Sequence, residues 1–453
     1  MAERIRLSEH FTYKKLFRFV LPSVIMMVFT SIYGIVDGFF VSNYTDGLPF
    51  AALNLIYPFV MILGSVGFML GTGGNAVVAK LLGEGKSEQA KRTFSMLIYT
   101  TIVFGIILSL LGILFVRPIA ELFASTEKGL SPAEKAQLIE YCIVYARIIL
   151  IALPAFMLQN AFQGFFVTAE KPRLGLYVTV VAGCVNIVLD ALFVAVFRWG
   201  LVGAAVATAI SQCMGGILPL FYFSFKNDSL LKLCKTTFDG KTLVKVCING
   251  MSELMTNVSI SVVTILYNAQ LMKYIGINGV SAYGIMMYVS FIFVGIFLGY
   301  SIGSAPIIGY HYGADNKDEL KSIFRKSLRI TTVAGIIMTL VAFVFAKPLA
   351  LIFVQEETLL NLTVHGLRLY ALSFLVCGFN IFGSAFFTAL SNGGISLLLS
   401  FFRLFLCQML AIVLLPLWLD QDGIWLAALA SELVSFVLTI VIWLWEKDKY
   451  GYA

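Results

Sequence analysis

Apolar residues along this chain neither alternate with polar ones nor recur as a stripe at every third or fourth position. They run on for stretches of about 20 residues or more, and the polar residues gather in short breaks between the runs. A run of that length crosses the roughly 30 Å of bilayer hydrocarbon as an α-helix. Twelve spans are predicted. The first six are Leu16–Ser42, Ala51–Leu82, Phe94–Phe123, Gln137–Val167, Leu174–Phe197 and Gly200–Phe225. The second six are Leu243–Met272, Ser281–Tyr312, Ile330–Val354, Leu359–Leu390, Ile395–Leu419 and Gly423–Trp445. Several exceed the length a bilayer needs, so their ends project into water or the helices tilt.

The second set repeats the first. A displacement of 230 residues brings Gly73 onto Gly303, Gly83 onto Gly313, Phe94 onto Phe324, Gly105 onto Gly335 and Pro118 onto Pro348. A displacement of 220 brings Asn160 onto Asn380 and Thr168-Ala169 onto Thr388-Ala389, and one of 223 brings Gly200 onto Gly423. With six crossings per copy, both copies keep the same orientation and are related by an axis along the membrane normal. The expected fold is an all-α polytopic membrane protein with an N-lobe at residues 1–225, a cytoplasmic linker at 226–242 and a C-lobe at 243–453. Two such lobes rocking about a central cleft are transporter architecture.

Composition agrees: 59% of residues are hydrophobic and 13% charged, beyond what soluble domains show. The net charge of +7 would suit a polyanion partner, but its distribution argues against nucleic acid. Of the 32 Lys and Arg, 23 fall in breaks on one side of the membrane and 6 on the other, while Arg147, Arg368 and Arg403 lie inside spans. That bias places both termini in the cytoplasm. The N-terminal Arg4, Arg6, Lys14, Lys15 and Arg18 make a segment too charged for a cleaved signal peptide. Seven scattered cysteines give neither a disulfide nor a zinc framework. Gly85-Lys86-Ser87 and Gly240-Lys241-Thr242 have Lys80 and Lys235 where a phosphate-binding loop requires glycine. No catalytic arrangement is visible, so neither enzymatic activity nor a cofactor is expected.

Polar residues inside the spans are the candidate chemistry, because a charge at mid-bilayer costs roughly 2.5–3.5 kcal/mol on insertion scales. Counting helical rise from the outer ends puts Asp37 about 9 Å deep and Asp190 and Thr208 about 12 Å deep, with Tyr145 near the same level. Asn186 shares a helical face with Asp190 one turn away. Two carboxylates, an amide oxygen and a hydroxyl suit a hard cation such as Na⁺; equally, two carboxylates can hold one proton between them. Glu253 is a candidate acid of the C-lobe. Arg403 and Glu432 come out at equal depth and are expected to pair, whereas Arg147, Arg368 and His365 are expected at an aqueous cleft. Pro22 removes a backbone hydrogen bond in the first span and is a candidate hinge.

The glycine-rich second span ending in K-L-L-G-E-G-K-S-E-Q-A-K-R, the paired F-F-V-T-A and F-F-T-A segments, N-I-V-L-D-A-L-F and G-L-V-G-A-A-V-A-T-A-I-S together resemble the MATE (multidrug and toxic compound extrusion) family. The resemblance covers nearly the whole chain. It implies a secondary antiporter that exports amphipathic organic cations in exchange for H⁺ or Na⁺, acting as a monomer in a bacterial plasma membrane. Asp37, Asn186, Asp190 and Thr208 match the family's cation-binding constellation, with Tyr145 in a neighbouring role, and Pro22 matches a proline thought to bend the first helix. Glu253 matches an acid of some members, but the companion acid of the NorM-like branch is missing: Ser373, Phe374 and Val376 stand in that stretch. The pattern is closer to the DinF-like and MepA-like branches. A lipid-linked precursor flippase of the same superfamily is the alternative, and such proteins usually carry more than twelve helices.

Overall fold

A segment inside hydrocarbon must satisfy its own backbone, and each predicted run folds as helix. The computed structural model describes residues 5–45, 47–126 and 131–453; Arg4 of the basic N-terminal segment lies outside them. The first six runs become α1 (Tyr13–Tyr44), α2 (Gly47–Gly83), α3 (Ser87–Thr126), α4 (Pro132–Ile151) with α5 (Leu153–Thr168), α6 (Pro172–Asp190) continued by a π-helical segment (Ala191–Val196), and α7 (Gly200–Ser224). The second six become α8 (Gly240–Tyr274), α9 (Ile277–Gly313), α10 (Lys317–Val344) with the short α11 (Ala346–Leu351), α12 (Glu357–Ala371) with α13 (Phe374–Ala389), α14 (Gly393–Ser400) leading through a π-helical segment (Phe401–Cys407) to α15 (Gln408–Leu414), and α16 (Pro416–Tyr450). Among the described residues there is no strand. Ten helices are long and apolar enough to cross a membrane, and twelve spans result when each bent pair counts as one.

Two spans expected to be continuous are broken. α4 meets α5 at 54° and α12 meets α13 at 51°. Pro154 lacks the donor that would continue the first helix, but the second break has Phe374 at the matching position, so proline is not the common cause. Both breaks face a glycine of the preceding span. Gly105 lies against the Pro154 backbone and Gly335 against the Phe374 and Leu375 carbonyls, an approach a Cβ would block.

The repeat also sets the turns. Left-handed residues occur at Gly85 (φ 75°) and Asp315 (φ 51°), at Glu170 (φ 58°) and Ser391 (φ 60°), and at Arg198 (φ 55°) and Asp420 (φ 47°). In the last span of each copy, packing corrects the displacement from 223 to 220. Gly203 sits on the Phe193 carbonyl as Gly423 sits on that of Leu415; Ser211 donates to the Ala182 carbonyl as Ser431 donates to that of Arg403, both at 2.8 Å. Phe223 and Trp443 likewise take matching places beside Phe94 and Phe324, with ring centroids 5.1 and 5.3 Å apart.

The chain forms two compact units, one of Met1–Val28, Ala79–Lys86 and Met251–Ala453, the other of Phe29–Val78 and Ser87–Gly250. α1, α2 and α8 therefore each run from one unit into the other. In the first unit, Gly299 packs on the Ser23–Val24 backbone, Gly303 packs on Val20, and Gly83 and Gly313 pack on the carbonyls of Tyr310 and Lys80. In the second, Gly73 packs on the Val246 carbonyl and Gly250 on that of Met69. Small residues at such crossings let helices approach closely where lipid offers no hydrophobic drive. The linker follows α3: Cys234 N–H donates to Ser95 Oγ at 2.9 Å and Leu231 is buried. It ends at Asp239, whose carboxyl the Thr242 hydroxyl and then the Thr242 amide hold below the usual carboxylate range.

Candidate functional site

The site lies in the second unit, where α1, α2, α4, α6 and α7 converge. Gly183 on α6 leaves room for the rings of Phe29 and Tyr33 on α1, and this close crossing brings Asp37, one turn beyond Tyr33, to the level of Asp190. The Asp37 carboxyl is within hydrogen-bonding reach of the Asp190 carboxyl and the Thr208 hydroxyl. Asp190 has no exposed surface, and neither of its carboxylate oxygens has a donor; Asp37 Oδ1 also lacks one. Asn186, one turn before Asp190, is buried with its Nδ2 unpartnered. Immediately after Asp190 the helix widens into the π-helical segment Ala191–Val196. Such insertions occur often at functional positions.

Tyr145 of α4 is buried and stands within electrostatic reach of both carboxylates. Two further tyrosines surround Asp37 that the sequence reading does not single out: Tyr57 on α2, and Tyr33, whose hydroxyl pairs with Gln159 of α5. Tyr33 had a usable signal, since it lies four residues before Asp37 on one helical face. Tyr57 and Gln159 had none, because span depth alone does not say which face of α2 or α5 turns inward. The donor set is oxygen-rich. Among the described residues no group of three or more His, Cys, Asp or Glu could hold a metal ion; an oxygen donor set is of the kind that suits a proton or a hard cation.

The other candidates lie elsewhere. Pro22 and Glu253 belong to the first unit. α1 runs helical through Pro22, and the Glu253 carbonyl accepts from Asn257 Nδ2 at 2.9 Å. The C-terminal copy holds a buried ion pair of its own, at positions that the repeat relates to Gly183 and Gln212 rather than to Asp37 and Asp190. Arg403 donates to Glu432 Oε1 through Nε at 2.9 Å and Nη2 at 2.8 Å, and Asn380 Nδ2 donates to Glu432 Oε2 at 2.6 Å. Thr439 completes the network on Asn380 Oδ1. The arginines and histidine expected at a cleft behave differently from one another. His365 pairs with Asp422 at 2.7 Å and Arg368 covers the Phe343 ring at 5.5 Å. Arg147 is exposed on the side of α4 turned away from Tyr145.

A family model described as MatE matches residues 22–192 and 254–414. Among curated relatives, the multidrug export protein MepA of Staphylococcus haemolyticus is 23% identical over 438 residues, covering 96% of this chain and 94% of its own, and that of a Staphylococcus aureus strain is 21% identical over 442 residues, covering 95% and 94%. Among solved structures, a MATE protein in complex with MaL6 superposes with a TM-score of 0.91 at 20% identity over 100% of both chains. An outward-facing multidrug resistance MATE transporter of the MOP superfamily superposes at 0.88 with 21% identity, covering 98% of each chain.

Proposed function

Because the chain belongs to the MatE family, matched on both sides of the linker, we propose that it is a secondary antiporter of a bacterial cell membrane, exporting amphipathic organic cations in exchange for H⁺ or Na⁺. The full-length likeness to multidrug export proteins supports the export of small organic compounds. The observation that carries the coupling is the meeting of the Asp37 and Asp190 carboxyls with no donor between them. Two like charges this close repel strongly in a low dielectric, so the pair favours an incoming cation or proton. Thr208, Asn186 and the surrounding tyrosines provide further oxygens and hydroxyls.

Exchange requires that the coupling ion and the exported cation prefer different states of the same protein. α1 is suited to carry that difference. Its first half packs on α9 near Pro22 and its second half carries Asp37, so neutralising Asp37 and bending α1 are mechanically linked. The lysine and arginine bias places both termini in the cytoplasm, with the acid pair nearer the outer surface.

Ethidium efflux from energised cells expressing the protein tests this reading. Expression is expected to lower ethidium accumulation, and Asp190→Asn is expected to restore accumulation to that of cells without the protein. Undiminished efflux by the variant at equal membrane abundance would refute Asp190 coupling.

A further inference from the structure

α1 and α8 open the two copies, and both leave the unit in which they begin, α1 after Val28 and α8 after Gly250. The residues ahead of each lie along the third span of the other copy. Ahead of α8, the Thr236 hydroxyl donates to the Arg92 carbonyl at 3.0 Å and the Asp239 N–H to Met96 Sδ at 3.2 Å, both on α3. Ahead of α1, Phe11 lies on α10: its N–H donates to Glu319 Oε1 at 2.8 Å and its carbonyl accepts from Lys326 Nζ. Met96 and Lys326 are related by the displacement of 230. The repeat has kept the strap and changed its chemistry, from neutral contacts on α3 to charged ones on α10.

Glu319 is the third residue of α10, where a glutamate can reach back to the N–H of the N-cap. Here that N–H, on Asn316, donates to the His311 carbonyl at 3.0 Å, and Asn316 Oδ1 caps the helix by accepting from the Glu319 N–H at 3.1 Å. The Glu319 carboxyl is therefore not needed by its own helix. It is buried, and both oxygens turn to the strap, Oε1 to Phe11 and Oε2 to His10 Nδ1. The Phe11 ring is fully buried, edge-on to Phe19 of α1 and His311 of α9 with centroids 5.8 and 6.4 Å away. Hydrogen bonds with an ionised partner are roughly twice as strong as neutral ones, so Glu319 and Lys326 are the principal ties. At the position of the first copy that matches Glu319 stands Gln89, which is exposed.

A helix pushed at its far end bends only if its start is held; with a free start it tilts as a rigid rod. Along its first half α1 is gripped by Gly299 at Ser23–Val24 and by Gly303 at Val20, and the strap adds a hold at its first residues. We propose that Glu319 is a positioning residue for export: by fixing the start of α1 on α10 through the Phe11 backbone, it turns a displacement of the Asp37 end into a bend of the helix. This role rests on the antiporter reading above and is exerted through α1, without contact to ion or substrate.

Hydrogen exchange of the purified full-length protein, read by mass spectrometry over residues 7–12, tests the strap without reference to transport. Glu319→Ala is expected to speed exchange of that segment about tenfold or more. Lys326→Met, the residue of the first copy, is expected to do so to a smaller extent, and Glu319→Gln, which keeps an acceptor for the Phe11 N–H, to stay near the wild type. In proteoliposomes, Glu319→Ala is expected to lower the maximal export rate about fivefold with KM for the exported cation within about twofold, and Glu319→Gln to restore most of the rate. A merely structural loss would not divide the two constants in this way. If melting curves show that Glu319→Ala fails to fold, Lys326→Met decides. Unchanged exchange in Glu319→Ala would overturn the strap, and faster exchange with an unchanged export rate would overturn the positioning role. Absence of ion-driven export by the wild type would instead refute the antiporter reading, and the role in export with it, while exchange still decides the strap.

Discussion

Asp190 shows at single-residue scale how function and stability oppose each other here. Its carboxylate is fully buried beside that of Asp37 without a donor, and an unsatisfied buried polar group costs about 1–3 kcal/mol. Asn at this position would supply an N–H to Asp37. Asp190→Asn is therefore expected to raise the melting temperature of the purified protein in Na⁺-free buffer while abolishing coupled transport; a lowered melting temperature would contradict an uncompensated pair. The Arg403–Glu432 pair has the opposite character, being satisfied on both sides. Glu432→Ala is expected to cost about 3–5 kcal/mol by stranding the guanidinium, and the double replacement Arg403→Met with Glu432→Leu is expected to be much milder in the same unfolding assay. The convergence of Asp37, Asp190, Thr208 and Tyr145, and the match of Arg403 with Glu432, were legible because helical rise is constant. Tyr57, Gln159 and the outward turn of Arg147 were not, because rotation about a helix axis is set by packing partners that lie far away in sequence.

At the scale of elements, the glycine crossings hold the helices in register. A Cβ on Gly250 would fall on the Met69 carbonyl, whereas one on Gly34 in α1 meets nothing. Gly250→Leu is expected to destabilise by about 1–3 kcal/mol or more through overpacking, and Gly34→Ala to be neutral or stabilising by up to about 1 kcal/mol; thermal unfolding of the two variants gives the comparison. Asp315 adopts the left-handed conformation that the first copy assigns to Gly85, so Asp315→Gly is expected to gain about 1 kcal/mol. Number, order and repetition of the spans were readable from hydropathy and gapless displacements. The breaks after Ile151 and Ala371 were not, since the second has no proline and both depend on where Gly105 and Gly335 press. The true displacement of the last span was hidden because its alanine-rich stretches, Ala204-Ala205 and Ala427-Ala428, align equally well out of register.

At the scale of the whole molecule, the units are joined by helices that pass between them, and α1 is the one that carries a carboxylate of the acid pair. Pro22 lies in the part of α1 packed on α9. Pro22→Ala restores the missing backbone hydrogen bond and is expected to reduce turnover while leaving equilibrium binding of the exported cation largely intact, readable as a fall in transport rate with little change in dissociation constant. The central claim is that the Asp37–Asp190 pair couples an ion gradient to export. Its most direct test is substrate flux in proteoliposomes of wild type and Asp190→Asn, driven in turn by a Na⁺ gradient at fixed pH and by a pH gradient without Na⁺. The account predicts that one of the two gradients drives wild-type export and that neither drives export by the variant. Gradient-driven export by Asp190→Asn at the wild-type rate would contradict it.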